Sequence, residues 1–370
     1  MKYDVLIIGG GPVGNYLASL LSGKMRVALV EAKGSFGGKA CTGVIGAESY
    51  QLLNLPYEAI ISELKGAIFY SKRVSFEISR PEVQAYVVDR KTLEKKLAIK
   101  AVEEGVNYFM GTRFLGFDGG TAVLKGPGGR YRIEADYYVG ADGVKSKIAE
   151  EIGTRSEAEF LPGYEVEVIG SFREGFAEVW VDKELNQDFF LWLVPIGQTV
   201  ARVGTIGDLD SLRKFLTVKS IRPTSTVEFK SGVLGIGWRK PWVKGNVALV
   251  GDAALQVKPT TGGGIVLGCL CASALSEALE RGSLKLYWER CRDVRRQISI
   301  GLKIRRLFRG ANQETLEKIF EILSREEARR IIEERADFDD HARTVKVLLK
   351  NPRVLREFLK ISPYLIRSLL

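Results

Sequence analysis

The segment Tyr3–Glu31 reads YDVLIIGGGPVGNYLASLLSGKMRVALVE, and the interpretation of the whole chain starts from it. Its apolar run Val5–Ile8 predicts a buried strand, and three glycines follow at G-x-G-x-x-G spacing. A helical stretch and a second apolar strand come next, and the second strand ends in an acidic residue. In this order the elements predict a Rossmann-type βαβ unit that binds an ADP-bearing dinucleotide. The alternative is a glycine-rich strand–helix turn that binds no ligand.

The three glycines and the acid each have a mechanical reason in such a unit. Gly9 permits a tight turn, Gly11 lets a pyrophosphate approach the backbone, and Gly14 lets the helix pack on the sheet. The helix then directs its N-terminal amides and its dipole toward the phosphates. Glu31 can accept hydrogen bonds from both hydroxyls of an adenosine ribose, and its charge disfavours a 2′-phosphate.

The composition is that of a globular protein large enough for two or three domains. The chain has 370 residues, of which 45% are hydrophobic and 27% are charged. Four cysteines without a C-x-x-C pair and a single histidine offer little material for a zinc or iron–sulfur site, and we expect no metal. This cysteine usage fits a reducing cytoplasm. Asp4 follows the N-terminus at once, so no secretory pattern is present and we expect a cytoplasmic location.

The net charge of +10 is concentrated at the C-terminal end. Residues 281–370 contain 22 Lys and Arg but 13 Asp and Glu, and therefore carry +9 of it. A basic helical face there could lie peripherally on the inner face of a membrane, bind a lipid phosphate, or simply pack on the core in contact with solvent. No nucleic-acid motif accompanies the charge, so we expect no nucleic-acid partner. The basic residues of this face are Arg290, Arg292, Arg295, Arg296, Lys303, Arg305, Arg306 and Arg309.

Two strand-rich segments interrupt the dinucleotide-binding half. Residues 66–88 and 158–240 alternate apolar and polar side chains, as antiparallel strands do. The uncharged run 259–276 is borderline for a membrane span, but its three consecutive glycines favour a buried helix behind a glycine loop. We predict three parts: a discontinuous dinucleotide-binding domain (1–65, 89–157 and 241–285), a β-rich substrate domain (66–88 and 158–240) and a C-terminal helical region (286–370).

Three further motifs lie at predicted strand–helix junctions. Asp89–Arg90 begins a helix, the run Gly140–Gly143 (GADG) ends a strand, and Gly251–Asp252 ends another strand ahead of Pro259–Ile265. Together with the first glycine motif and in this order, they resemble the flavoproteins built like p-hydroxybenzoate hydroxylase. The resemblance covers about residues 1–280 and implies that the cofactor is FAD.

Two details are similar to the geranylgeranyl reductase family, including its archaeal members. Pro259–Ile265 reads PTTGGGI, close to that family's P-x-T-G-G-G-I, and Phe190–Pro195 reads FLWLVP, similar to its Y-x-W-x-F-P. Cys41 stands where archaeal members often carry a cysteine, although the turn here reads Cys-Thr-Gly. This resemblance implies an FAD-dependent reductase that saturates C=C bonds of isoprenoid (geranylgeranyl) lipid chains by hydride transfer from the reduced flavin.

The resemblance also implies site residues. Arg90 would reach the pyrophosphate, Asp252 the ribityl stretch and Phe114 the adenine side. The expected cofactor-binding residues are Gly9, Gly11, Pro12, Val13, Gly14, Glu31, Ala32, Ala40, Cys41, Thr42, Arg90, Phe114, Asp252, Gly262, Gly263, Gly264 and Ile265. The expected catalytic residues, which would line a slot above the flavin ring, are Cys41, Trp192, Pro259 and Thr260.

Two other flavoprotein functions fit the same motifs. An FAD-dependent monooxygenase or halogenase is one, because halogenases carry W-x-W-x-I-P, which is close to FLWLVP. An electron-transfer flavoprotein–quinone oxidoreductase-like carrier is the other, without an iron–sulfur cluster because no four-cysteine site is present. No second G-x-G-x-x-G follows a strand, so the electron donor would be NAD(P)H that docks transiently, or a ferredoxin.

Overall fold

The computed structural model describes residues 2–361, which fold into three β-sheets and twelve helices. The strands are β1 (Lys2–Ile8), β2 (Val27–Glu31), β3 (Val44–Gly46), β4 (Ile60–Leu64), β5 (Gly66–Tyr70), β6 (Ser75–Ser79), β7 (Ala85–Val88), β8 (Asn107–Met110), β9 (Arg113–Asp118), β10 (Thr121–Gly126), β11 (Gly129–Gly140), β12 (Arg155–Ile169), β13 (Phe176–Trp180), β14 (Leu191–Pro195), β15 (Val200–Ile206), β16 (Thr226–Lys240), β17 (Val243–Lys244) and β18 (Val247–Leu249). The helices are α1 (Pro12–Leu21), α2 (Ala47–Leu52), α3 (Arg90–Glu103), α4 (Lys147–Glu151), α5 (Leu209–Val218), α6 (Ile265–Glu280), α7 (Leu284–Arg290), α8 (Arg292–Gly310), α9 (Gln313–Ser324), α10 (Glu326–Arg335), α11 (His341–Lys350) and α12 (Pro352–Ile361).

The first sheet is the predicted Rossmann-type sheet. Its main path has the order β17-β18-β11-β1-β2-β8, and the strands from β18 to β8 run parallel to one another. The antiparallel hairpin β9–β10 extends from β11. Helices α1, α3 and α6 pack beside one another against this sheet. The strand predicted before the GADG run is β11, which begins at Gly129 and ends at Gly140, the first residue of that run.

Close packing at the first turn requires glycine. A Cβ atom on Gly14 would collide with the carbonyl oxygen of Gly9, and it would also lie 3.3 Å from Cβ of Ala141. α1 can therefore approach β1 and the β11 turn only because residue 14 has no side chain. The predicted helix–sheet contact thus lies at the base of the dinucleotide motif.

The second sheet has seven strands in the order β16-β12-β15-β14-β13-β5-β6. All its pairs are antiparallel except β5 with β13, which run parallel. Residues 66–88 form strands as predicted, and the pairs β5–β6, β3–β7 and β4–β7 are antiparallel, but two details differ from the prediction. β5 has a parallel neighbour, and β7 leaves the sheet to pair with β3 and β4 in a separate three-stranded sheet.

The C-terminal helices lie over one face of the seven-stranded sheet. Arg305 and Arg309 of α8 both reach the carboxylate of Glu159 on β12, at 3.2 and 2.7 Å. Phe320 of α9 contacts Phe76 of β6 with 5.6 Å between ring centroids. Part of the predicted basic face therefore binds the protein's own sheet. Residues 362–370 of the predicted helical region lie outside the described residues.

The uncharged run 259–276 forms a glycine loop followed by α6, as predicted. Ten of the sixteen residues of α6 are buried against the first sheet and its helices. No helix within residues 2–361 combines the length and the apolar character that crossing a membrane requires.

A buried carboxylate joins the helices to the sheet. Glu317 of α9, 1% exposed, accepts hydrogen bonds from Ser71 Oγ at 2.7 Å and from the backbone amides of Lys72 and Arg73 at 2.9 and 3.2 Å. Gln313 donates to it from one turn earlier. Burial raises the pKa of Glu317, but the hydrogen bonds from Ser71 and Gln313 outweigh it and lower the pKa below its usual value. The carboxylate thus fixes α9 to the β5–β6 turn.

We expect E317Q to lower the free energy of unfolding by about 1–3 kcal/mol, because an amide cannot accept on both of its atoms from donors that remain buried. E314Q is the matched control on the same helix, since Glu314 forms only an exposed ion pair with Lys318, and should change stability by less than about 0.5 kcal/mol. Urea unfolding of the three proteins measures both values. Equal effects of the two substitutions would contradict the anchoring role of Glu317.

Candidate active site

One continuous cavity of about 1090 Å³ runs from the β1–α1 turn to the C-terminal helices. Its first arm follows the carboxyl ends of the parallel strands, where α/β proteins bind their ligands. Its second arm lies between the seven-stranded sheet and helices α8–α11. The first arm is rich in glycine and charged groups, whereas most residues of the second are apolar, with a few charged ones such as Arg80, Glu178 and Arg305.

The β1–α1 turn forms one end of the first arm. A Cβ atom on Gly11 would have no heavy atom within 4 Å, so this backbone faces open space. Glu31, at the end of β2, accepts hydrogen bonds from the amides of Gly10 at 2.7 Å and Lys33 at 2.8 Å. These bonds fix the carboxylate beside the glycine turn.

Arg90 is a buried cation in the same arm. Asp89 caps α3 by accepting from the amide of Thr92 at 2.7 Å, which places Arg90 in the first turn of the helix. Its Nη2 donates to Glu94 at 2.5 Å, while its Nε has no partner among the described residues. Burial lowers the pKa of Arg90, yet the neighbouring Cys41 and Glu94 raise it above its usual value. One N–H group of this buried cation, in a residue that lines the cavity, therefore has no acceptor among the described residues.

Charged residues also surround the turn after β18. Asp252 pairs with Lys39 at 2.6 Å, and this pair connects the loop after β2 to the turn. Arg239 of β16 donates to the carbonyl oxygens of Ala253 and Val144 at 2.6 and 3.1 Å. Asp142 of the GADG run binds the amide of Lys147 at 2.7 Å through Oδ2, and burial raises its pKa. Arg239 thus links the turn after β18 to the residue that follows the GADG run.

The glycine loop before α6 lies where the two arms meet. Gly262 has φ +76°, and a Cβ there would lie 2.8 Å from Ile206 Cδ1 and 3.0 Å from Leu234 Cδ1. Because no side chain intervenes, the loop backbone comes close to the inner face of the seven-stranded sheet. α6 begins at Ile265 and directs its N-terminal amides to the same place.

The C-terminal region completes this junction through two contacts that the sequence alone does not predict. Lys258 pairs with Asp339 at 2.6 Å, and Thr260 Oγ1 lies 2.6 Å from Nδ1 of His341. Asp339 also accepts from the amide of Gly46 at 2.9 Å. The two residues of the pair Lys258–Asp339 are 81 positions apart along the chain, and so are the two of the pair Thr260–His341. The one signal that could have indicated them is that His341 is the single histidine.

Trp192 of β14 lies at the start of the apolar arm. Its indole ring covers Gly204 of β15, since a Cβ there would lie 2.5 Å from Cζ2 of the indole. Phe190 lies beside it, with 5.8 Å between ring centroids. The other large apolar residues of this arm are Phe69, Phe76, Ile78, Val179, Val181, Phe189, Ile206, Leu234, Ile304, Phe308, Phe320, Leu323, Ile332, Phe338, Val345 and Leu348.

The structure places most of the predicted site residues on this one cavity. Gly14 and Pro259 do not line it: Gly14 lies beneath the turn, and Pro259 is buried against Gly301 of α8. The predicted residues that do line the cavity are Gly9, Gly11, Pro12, Val13, Glu31, Ala32, Ala40, Cys41, Thr42, Arg90, Phe114, Trp192, Asp252, Thr260, Gly262, Gly263, Gly264 and Ile265.

The first arm fits FAD on two independent observations. The buried Arg90 Nε lacks a hydrogen-bond acceptor, and a diphosphate supplies one. The open backbone at Gly11 leaves space for that diphosphate at the N-terminus of α1.

Comparison with known proteins leads to the same result. Residues 2–186 match the FAD binding domain family. An uncharacterized protein of Methanocaldococcus jannaschii is 30% identical over 94% of this chain and 95% of its own length. A digeranylgeranylglycerophospholipid reductase of Methanothrix thermoacetophila is 28% identical over 96% and 98%.

The chain belongs to the geranylgeranyl reductase family. Its fold is that of a geranylgeranyl bacteriochlorophyll reductase-like protein from Thermoplasma acidophilum, with a TM-score of 0.83, 18% identity and coverage of 97% and 99% of the two chains. As a family member it is an FAD-dependent oxidoreductase with FAD as its cofactor. Residues 2–361 contain no cluster of His, Cys, Asp and Glu able to hold a metal ion.

The open space at Gly11 gives a first test of the site. We expect G11A to fold with a stability within about 0.5 kcal/mol of wild type, because its Cβ meets nothing. FAD affinity should fall by about tenfold or more, since the methyl group would occupy the approach of the diphosphate. G14A is the contrasting variant and should lose stability as well. Thermal melting of the apoproteins and fluorescence titration with FAD measure the two effects.

The His341 contact gives a second test, through pH. Burial and the nearby charge of Lys258 lower the pKa of His341 from 6.5 to about 4. Between these values the unfolded chain binds the proton and the folded chain does not, so the stabilisation is complete above about pH 6.5 and decreases toward pH 4. The loss should be on the order of 3 kcal/mol. Denaturant unfolding across this range should show it in wild type and not in H341Q, and identical pH profiles would contradict it.

Proposed function

We propose that this enzyme saturates C=C bonds in the isoprenoid (geranylgeranyl) chains of lipids. The observation that carries the proposal is the continuity of the cavity, in which an apolar arm opens directly beside the glycine loop of the FAD site. A chamber lined by aromatic and aliphatic side chains fits a long hydrocarbon chain, because it offers burial without requiring polar groups in the ligand. The names of the curated relatives agree with such a substrate.

In this proposal the residues of the first arm bind FAD, and those of the second arm bind the lipid substrate. Gly11, Glu31, Arg90 and Asp252 would hold the diphosphate, ribose and ribityl parts of FAD. The amides after Gly264 would face the pyrimidine edge of the flavin, where the reduced form carries negative charge. When bound and reduced, FAD supplies a hydride from N5. The chain's own part is to place an alkene next to that atom and to exclude water.

The walls of the chamber perform that positioning. Trp192 would lie against the isoprenoid chain on the sheet side, and Thr260 would border it at the glycine loop. Cys41 lies on the cavity wall and is not disulfide-bonded, so it can serve as a small apolar surface there. Pro259 lies behind this wall, where it would support the loop against α8 and would not contact the substrate.

The electrons for each cycle would come from NAD(P)H or a ferredoxin, which we propose as a partner of the enzyme beside the lipid substrate.

The C-terminal helices α8–α12 would also bring the enzyme to the inner face of a membrane. Among the basic residues of the last described helix, Arg353, Arg356 and Lys360 are exposed, and exposed cations of this kind bind anionic headgroups. Recovery of the protein with anionic liposomes in a flotation assay would support this contact, and exclusion from them would contradict it.

A direct assay tests the reaction. Dithionite-reduced protein is incubated anaerobically with an unsaturated geranylgeranyl lipid, and the lipid is analysed by mass spectrometry. We expect product masses that increase by two hydrogens for each bond reduced. A monooxygenase or halogenase would instead consume oxygen during NAD(P)H oxidation and leave the lipid unreduced, and a carrier that passes electrons to quinone would reduce quinone alone.

Two substitutions on α11 test whether the chamber holds the substrate. Val345 lines the cavity, whereas Val347 on the same helix does not. We expect V345W to lower the reduction of a long isoprenoid chain by roughly tenfold or more, because the indole occupies space that the chain needs in order to align. V347W should act like wild type, and both should retain bound FAD. Equal activity of V345W and wild type would contradict the placement of the chain.

A further inference from the structure

Two buried polar atoms without a hydrogen-bond partner belong to the apolar arm. They are Oε1 of Glu165 on β12 and Nε1 of Trp192 on β14, and neither has a partner among the described residues. Both residues line the cavity. Glu165 is 1% exposed, so its free oxygen is shielded from solvent and in contact with the chamber.

The strand register places these two residues on one face of the seven-stranded sheet. Gly204 of β15 pairs with Glu165 on one side and with Trp192 on the other. Side chains of directly paired residues point to the same face of a sheet. Because Gly204 has no side chain, the indole of Trp192 lies in the space between them. The carboxyl group and the indole N–H therefore belong to the same stretch of chamber wall.

The second oxygen of Glu165 holds the carboxyl group in position. Thr42 donates its hydroxyl hydrogen to Oε2 at 2.6 Å, and Thr42 follows Cys41 in the loop beside the FAD site. The carbonyl oxygen of Thr42 accepts from Arg202 Nη1 at 2.9 Å, which fixes the loop. A neutral carboxylic acid has one carbonyl-type oxygen and one hydroxyl. With Oε2 accepting from Thr42, Oε1 remains as the oxygen that carries the proton.

Burial and the charged groups around Glu165 act on its pKa in opposite directions, and the net shift is upward. Burial raises its pKa above the usual value, and Arg202 on β15 and Lys230 on β16 oppose this. Both cations are already paired: Arg202 with Glu167 at 2.9 Å, and Lys230 with Glu228 at 2.6 Å and Glu167 at 3.7 Å. Glu167, on the same strand as Glu165, raises its pKa further. The chamber wall thus contains a buried carboxyl group, one oxygen of which has no partner among the described residues.

We propose that Glu165 is the catalytic acid of this site and donates its Oε1 proton to the alkene. The inference rests on the function proposed above. One alkene carbon takes a hydride from the reduced flavin and the other takes the proton, so the π bond is lost and two C–H bonds form. The alkene is reduced, the flavin is oxidised, and Glu165 is left as a carboxylate that accepts from Thr42. Water returns the proton between turnovers.

The test compares E165Q with wild type in separate half-reactions. Glutamine keeps the shape and can still accept from Thr42, but its amide protons are too weakly acidic to be transferred. We expect unchanged FAD content and unchanged reduction by dithionite, with the anaerobic reoxidation by a geranylgeranyl lipid slowed by about 10²–10⁴-fold, the usual contribution of a general acid. E157Q is the matched control, because Glu157 is exposed on the same strand and does not line the cavity. Lipid reoxidation in E165Q within threefold of wild type would overturn the assignment.

A second readout does not depend on turnover. Infrared difference spectra of the protein at neutral pH should contain a carboxylic acid carbonyl band that is missing in E165Q and retained in E157Q. Absence of this band in wild type would also overturn the assignment. If E165Q does not fold, E165D replaces it, with a shifted pH profile of lipid reoxidation as the expected result and an unchanged profile as the contrary one. If the reduced wild-type protein is not reoxidised by the lipid, the result would count against the proposed function. The infrared band would still test whether Glu165 is protonated.

Discussion

The ion pair between Lys258 and Asp339 is the contact on which the shape of the site depends. It joins three separate parts of the chain, because Asp339 also binds the amide of Gly46 and Lys258 begins the loop that leads to α6. Both side chains are at least nine-tenths buried. Burial raises the pKa of Asp339, while the charge of Lys258 and its hydrogen bond lower it below the usual value. Removing one partner of such a pair costs about 3–5 kcal/mol, because the other charge is left buried.

This contact explains why one cavity serves two kinds of ligand. The glycine loop can approach the sheet at Ile206 and Leu234 only because Gly262 has no side chain. Its position is fixed because Lys258, at the start of the loop, is bound to Asp339. The C-terminal helices that Asp339 anchors then close the apolar arm. The polar arm and the apolar arm are thus parts of a single junction. Under the proposed function, an alkene in the apolar arm would lie beside the flavin in the polar arm.

The local half of this architecture could be predicted from the sequence. Strand, glycine turn and helix at Tyr3–Glu31 depend on residues close to one another, and the structure has β1, α1 and β2 there. The α/β class, the membership of the geranylgeranyl reductase family and FAD as the cofactor are likewise confirmed. The same holds for the buried helix after the triple glycine, whose apolar run has a clear start at Gly264.

The remainder could not be predicted, because it consists of contacts between distant residues. Nothing near β7 shows that it pairs with β3 and β4 instead of joining β5 and β6. His341 meets Thr260 across 81 positions, and Glu165 meets Thr42 across 123. A glutamate that alternates with valines on a strand resembles any surface residue until the partner strands are known. Its burial is a property of the assembled sheet.

The arrangement of charge along the cavity follows from what each arm would bind. In the first arm, Arg90 and Asp252 line the cavity with charged groups, which suit a charged and polar cofactor. Arg202 and Lys230, which lie near the apolar arm but do not line it, are paired with Glu167 and Glu228, so their charges are partly compensated. A carboxyl group can lie in such a wall at low cost only in its neutral form. Burial in the chamber raises the pKa of Glu165 and so favours the protonated form, which is the form that the proposed proton transfer requires.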